Sequence, residues 1–173
     1  MSTAGDVLLP ISFTFEYEGY AGARASISNG AETYAMDPSY VLGDPLFALL
    51  QAVVGILRSA DDDTGCEWWY EPALDRWDLH RQGDTLHITI RGRRKGYPSS
   101  SPLTPAWFWS SDAAGAVRFM TTCDLWTFAE QVRHAVHQLK PAGDDNPRRV
   151  RMTAEYRELS DVLDEHNRPE GRP

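Results

Sequence analysis

The strictest constraint on this chain is a period-two alternation that recurs in both halves. Ile11, Phe13, Phe15 and Tyr17 alternate with Ser12, Thr14 and Glu16, and Ala21, Ala23, Ala25 and Ile27 alternate in the next segment. A period of two belongs to strands with one buried face. A slip of one residue turns the whole apolar set outward, so parity must agree across each hairpin. An odd loop at Glu18-Gly19-Tyr20 sets Tyr17 opposite Ala21 and Phe15 opposite Ala23. Asn29-Gly30 reads as a two-residue type I′ turn, setting Ala25 opposite Tyr34 and Ala23 opposite Met36.

The period then changes. Asp44-Pro45 opens a helix, Asp44 capping free amides and Pro45 suiting the first position. Leu46, Leu49, Leu50, Val53 and Leu57 form its apolar stripe, ending near Ala60 before an Asp61-Asp62-Asp63-Thr64-Gly65 loop.

Strands return at Glu67 to Glu71, and Leu74 to Arg81 with Thr85 to Arg91 forms a hairpin around Gln82-Gly83. That turn sets Leu79 opposite Leu86, Trp77 opposite Ile88 and Asp78 opposite His87, with His80 diagonal to His87. After a basic, then Ser/Pro-rich segment from Gly92 to Pro105 come Trp107-Phe108-Trp109 and a strand from Val117 to Thr122. Asp124 caps an amphipathic helix bearing Leu125, Phe128, Val132 and Leu139.

The fold class expected is therefore α+β: a mainly antiparallel sheet of about seven or eight strands, built as two strand-meander-plus-helix halves. Both long helices are expected on one face, with a short C-terminal helix. One domain is expected over roughly 1–166, its halves spanning roughly 7–60 and 66–140 and its last helix roughly 150–165. Residues 167–173 read as a disordered tail.

Composition narrows the partners. The net charge of −8 makes nucleic acid an unsuitable main ligand, since phosphate contact needs a positive face. It suits a protein partner of basic character. No apolar stretch reaches the roughly 18 residues of a membrane span. The first residues carry no basic, apolar signal segment, and two cysteines without one read as reduced thiols. The expected location is the cytoplasm.

Three surfaces are candidates for binding or chemistry. Glu67, Trp68, Trp69 and Glu71, with Trp107 and Trp109, put aromatic side chains on both faces of their strands. Such residues are either covered inside the protein or form a binding surface, where rigid aromatics contribute much of the affinity. Arg93 and Arg94, in the long loop, could grip an anion, or serve as a solvated charge run. Asp78, His80 and His87 are the one set suited to acid–base or metal chemistry, against an alternative of exposed ion pairs.

Other patterns fail on geometry. Glu130, His134 and His137 share a helix face pointing away from the apolar stripe. Glu67 and Glu71 stand roughly 13 Å apart along a strand, too far for a retaining glycosidase, whose carboxylates stand about 5–5.5 Å apart. The Asp61 loop lacks a calcium loop's closing Glu, because Pro72 stands there. Cys123 precedes a helix beside Asp124, whose charge opposes thiolate formation. No Walker A, dinucleotide, Cys-x-x-Cys or His-Glu-x-x-His motif is present.

The leading expectation is a non-enzymatic protein-binding module, such as an acidic immunity or antitoxin-like protein masking a basic partner. The alternative is a small enzyme or ligand-binding protein using Asp78, His80 and His87, with residues 92–105 as a lid. A homo-oligomer joined through sheet edges or aromatic faces is a third reading. No cofactor and no metal is expected.

Overall fold

A computed structural model describes residues 8–18, 22–39, 43–58, 63–70, 73–94, 115–139 and 147–168. These residues form an α+β fold with two antiparallel sheets. The first, in the order β1-β2-β3, comprises β1 (Ser12–Glu18), β2 (Gly22–Ser28) and β3 (Thr33–Met36). Helix α1 (Pro45–Arg58) follows. The second, in the order β4-β5-β6-β7, comprises β4 (Asp63–Tyr70), β5 (Ala73–Gln82), β6 (Thr85–Arg94) and β7 (Ala116–Asp124). Helices α2 (Leu125–Gln138) and α3 (Pro147–His166) close the chain.

The buried parity is the one the alternation predicts, but each readable hairpin is displaced by two residues. Phe15 pairs with Ala25 and Tyr17 with Ala23, so Gly22 faces Glu18. Ala25 pairs with Met36 and Ile27 with Tyr34. The turn chemistry explains the second shift. A type I′ turn needs positive φ at both central residues, yet Gly30 (φ +83°) has it and Asn29 does not. Instead Asn29 Oδ1 accepts from the Ala31 and Glu32 amides at 3.0 and 2.9 Å, stretching the loop to residues 29–32. In the β5–β6 hairpin the turn is Gly83-Asp84, with Gly83 at φ +64° in the first central place. Trp77 consequently faces Ile90 and Leu79 faces Ile88.

Bridges through Ser39 link the two sheets, and backbone contacts reach both edges of the second. Ser39 bridges to Gly22 of β2 and to Trp69 of β4, its amide donating to the Trp69 carbonyl at 2.7 Å. The Leu9 amide donates to the Thr122 carbonyl of β7 at 2.9 Å. Unpaired edges invite pairing with other chains, and these contacts occupy part of each.

Helices α1 and α2 each reach across to the other sheet. Helix α1, which follows β3, packs on β4 and β5, and α2, which follows β7, packs on β1 as well as β7. One hydrophobic core joins Phe13, Ala25, Leu49, Trp77, Phe128 and Leu163, taken from both sheets and all three helices. Burying each large aliphatic or Phe side chain contributes about 1.5–3 kcal/mol. The C-terminal helix is longer than expected, 20 residues from Pro147 to His166. Its Leu159 and Leu163 are fully buried against α1 and α2, and Arg58–Glu158 and Arg133–Asp164 ion pairs tie its flank. The Asn167 amide continues it by donating to the Leu163 carbonyl at 2.9 Å. No helix among the described residues is long and apolar enough to cross a membrane.

Both predicted caps form. Asp124 Oδ1 accepts from the Thr127 amide at 2.7 Å. Asp44 Oδ1 accepts from the Phe47 amide at 3.1 Å, and the Tyr17 hydroxyl donates to the same carboxylate at 2.7–2.8 Å. Asp44→Ala removes a cap and a cross-element acceptor together, and should cost about 1–2 kcal/mol in urea unfolding. Asp44→Asn keeps the capping oxygen and should cost much less.

Candidate functional site

Strand β4 begins at Asp63, four residues before the predicted Glu67, and this extension builds one side of a surface cleft. The positions that alternate with buried Trp68, Trp77 and Leu79 point outward: Asp63, Gly65 and Glu67 from β4, and Arg76, Asp78 and His80 from β5. They line a cleft of about 610 Å³. Gly65 is at its floor because a Cβ there would collide with the Trp77 carbonyl oxygen. The hollow thus follows from a close strand approach that only glycine allows.

Three carboxylates, Asp63, Glu67 and Asp78, surround this cleft against one guanidinium, Arg76. Asp78 does not meet the histidines as predicted. The shifted turn sets it opposite Thr89, and Arg76 Nε at 2.8 Å and Arg91 Nε at 3.5 Å hold its two oxygens. The same shift brings His80 directly opposite His87, with ring centroids 5.7 Å apart and planes inclined by 31°. Asp63 faces His80, and Thr122 faces His87. One rung therefore crosses all four strands: His80 Nδ1 lies 2.8 Å from Asp63 Oδ1, and His87 Nδ1 lies 3.0 Å from Thr122 Oγ1.

The aromatic strand divides by parity. Trp68 is fully buried, its ring 4.8 Å from that of Trp77 and 5.9 Å from that of Phe15. Trp69 on the outer face is half-buried opposite a buried Leu74, and Glu67 is exposed. Glu71, Trp107 and Trp109 lie outside the described residues, as do all of residues 95–114. Arg93 and Arg94, assigned to that loop by sequence, continue β6 opposite Leu74 and Ala73, and their side chains fall outside the described set.

A second constellation escaped the sequence reading. Asp75 is 4% exposed, and its Oδ2 accepts from the hydroxyls of Tyr34 at 2.8 Å and Tyr70 at 2.7 Å. Burial, then the bonds to Asp75, raise both phenols above their ordinary range. A Cβ at Gly92 would lie 3.3 Å from Asp75 Oδ1 and 2.6 Å from Arg118 Nε, so the Arg118 side chain crosses bare backbone beside the carboxylate. A register shift between Ile90 and Arg91 accompanies this crossing. The signal was present in the sequence: Asp75 has the core parity of Trp77 and Leu79, where an acidic residue needs a reason.

The remaining candidates are quiet. His134 and His137 are exposed, while Glu130 Oε2 pairs with Arg133 Nη2 at 2.7 Å. Burial, with Asp124 adding, pushes the Cys123 thiol up to about 12, and burial also raises that of half-buried Cys66. Both stay protonated at neutral pH and are poor nucleophiles. No family model, curated protein or solved structure was found to match the chain.

Proposed function

We propose that this chain is a non-enzymatic protein-binding module that docks a basic segment of a partner protein on the β4–β5 cleft. The observation that carries this reading is the convergence of Asp63, Glu67 and Asp78 on one hollow whose lining holds one guanidinium, Arg76, with Arg91 reaching Asp78 from β6. A net −8 chain would steer a basic partner toward such a cleft, and close complementary charges would hold it there. Masking of a basic partner by an immunity or antitoxin-like protein is the form of activity that fits best. The bridges through Ser39 support a finer view of the fold as one continuous seven-stranded sheet with both long helices on its inner face.

The test is capture from the native host by immobilised wild-type chain and by Glu67→Lys. A basic protein should be retained at low ionic strength and released at about 1 M salt, where the screening length falls to about 3 Å. Glu67 is exposed, so the substitution should leave folding intact while reducing retention at least tenfold. Equal retention by both chains would reject this cleft as the docking surface.

A further inference from the structure

Across the four-stranded sheet, the rung Asp63–His80–His87–Thr122 shares Asp63 with the docking cleft but carries a histidine pair that the protein-binding reading does not use. An ionised carboxylate can only accept, so His80 Nδ1 must donate to Asp63 Oδ1, 2.8 Å away. In the neutral ring this leaves Nε2 with its lone pair free. His87 Nδ1 lies 3.0 Å from Thr122 Oγ1 on the opposite side, and this hydroxyl can accept from a protonated Nδ1, the tautomer that leaves its Nε2 open as well. Neither Nε2 has a hydrogen-bond partner among the described residues. A histidine held through one nitrogen by a carboxylate or hydroxyl, with its other nitrogen free, is the usual arrangement of a metal ligand.

The rung also directs those free nitrogens. The two nitrogens of an imidazole lie on nearly opposite sides of the ring. Asp63 and Thr122 flank the pair from the outer strands, so holding each Nδ1 outward turns each Nε2 toward the other histidine. An ion bonded at about 2.0–2.1 Å lies about 3.2 Å from each ring centre, so two tetrahedral histidine ligands have ring centres about 5.2 Å apart. The centroids of His80 and His87 stand 5.7 Å apart, a difference that a small side-chain rotation closes.

We infer that His80 and His87 form a two-histidine site for a divalent transition metal on the outer face of the sheet, with Asp63 as the positioning residue for His80. Imidazole suits Zn²⁺, Cu²⁺ and Ni²⁺ rather than Mg²⁺ or Ca²⁺. Among the described residues no third His, Cys, Asp or Glu completes the shell, so water fills the other positions. The His80 side chain is 52% exposed, which gives the ion an entry path.

The test is calorimetric titration of tag-free, chelator-treated chain with ZnCl₂ and, separately, MgCl₂. One Zn²⁺ per chain is expected, with no heat from Mg²⁺. His80→Ala and His87→Ala should each weaken Zn²⁺ binding at least tenfold, and Asp63→Ala by about tenfold, the usual loss when a ligand's hydrogen-bond partner is removed. In nitrogen-detected NMR, Zn²⁺ should shift the Nε2 signals of His80 and His87 in the wild type. His134→Ala/His137→Ala should bind as the wild type does. A folded wild type that takes up no Zn²⁺ overturns the inference, as does binding that survives in folded His80→Ala/His87→Ala. The inference stands apart from the docking reading, because Glu67→Lys should leave Zn²⁺ binding unchanged.

Discussion

Trp77→Ala is expected to lower the stability of this protein by about 3–5 kcal/mol, a large share of the roughly 5–15 kcal/mol of a typical domain. Trp77 is fully buried where the two sheets meet, its ring 4.8 Å from that of Trp68 and 6.2 Å from that of Phe13. Alanine would leave a cavity that strands fixed on both sides cannot close. Trp77→Phe should behave differently. The Trp77 indole N–H is buried without a hydrogen-bond partner among the described residues, and such a group costs about 1–3 kcal/mol. Phenylalanine removes that donor along with part of the ring, so the two changes oppose and the net loss should stay within about 1 kcal/mol. Urea unfolding of the three proteins gives the comparison directly. If Trp77→Phe proves as damaging as Trp77→Ala, the N–H has an acceptor, such as a buried water.

The faces of the strands were legible because parity is a local property. Phe13, Phe15, Ala23, Ala25, Ile27, Met36, Trp77 and Leu79 are all buried, as the alternation requires. Register was not legible, because a shift of two leaves parity untouched and is decided inside the turn. At Asn29 the side chain took two amides that a type I′ turn would have left free. At Gly83 the positive φ came at the first central residue rather than the second. The consequence reached the candidate site. Shifted by two, His87 moved from Asp78 to stand directly opposite His80, while the early start of β4 gave His80 its partner Asp63.

The rest of the site was hidden by composition. Asp61-Asp62-Asp63-Thr64-Gly65 has loop chemistry, so nothing local announced that Asp63 and Gly65 would pair with His80 and Asp78. Pairing to a neighbouring strand overrides that preference, and Gly65 is tolerated because the strands come too close for a side chain. The exchange of helices between the sheets was also beyond reach. The apolar stripe of α1 says that it must be covered, but not that β4 would cover it rather than the meander preceding it.

Asp75→Ala should be the most informative change outside the Trp cluster, with an expected loss of about 2–4 kcal/mol. Hydrogen bonds to a charged group contribute about 1.5–3 kcal/mol each, and Asp75 accepts two, which tie β3 and β4 to β5. Against this stands relief of the desolvation of a buried carboxylate, which keeps the estimate below the sum. Asp75→Asn retains an acceptor oxygen and should cost about half as much. The tyrosines supply an independent readout. Burial and the Asp75 bonds raise both phenols, so each favours the folded state fully below its unfolded value near 10. That contribution is lost as pH rises beyond it. Removing Asp75 leaves burial but takes away the bond and the like charge, so both phenols should ionise at lower pH in absorbance titration. Should Asp75→Ala instead prove neutral or stabilising, the carboxylate is a net cost to the fold.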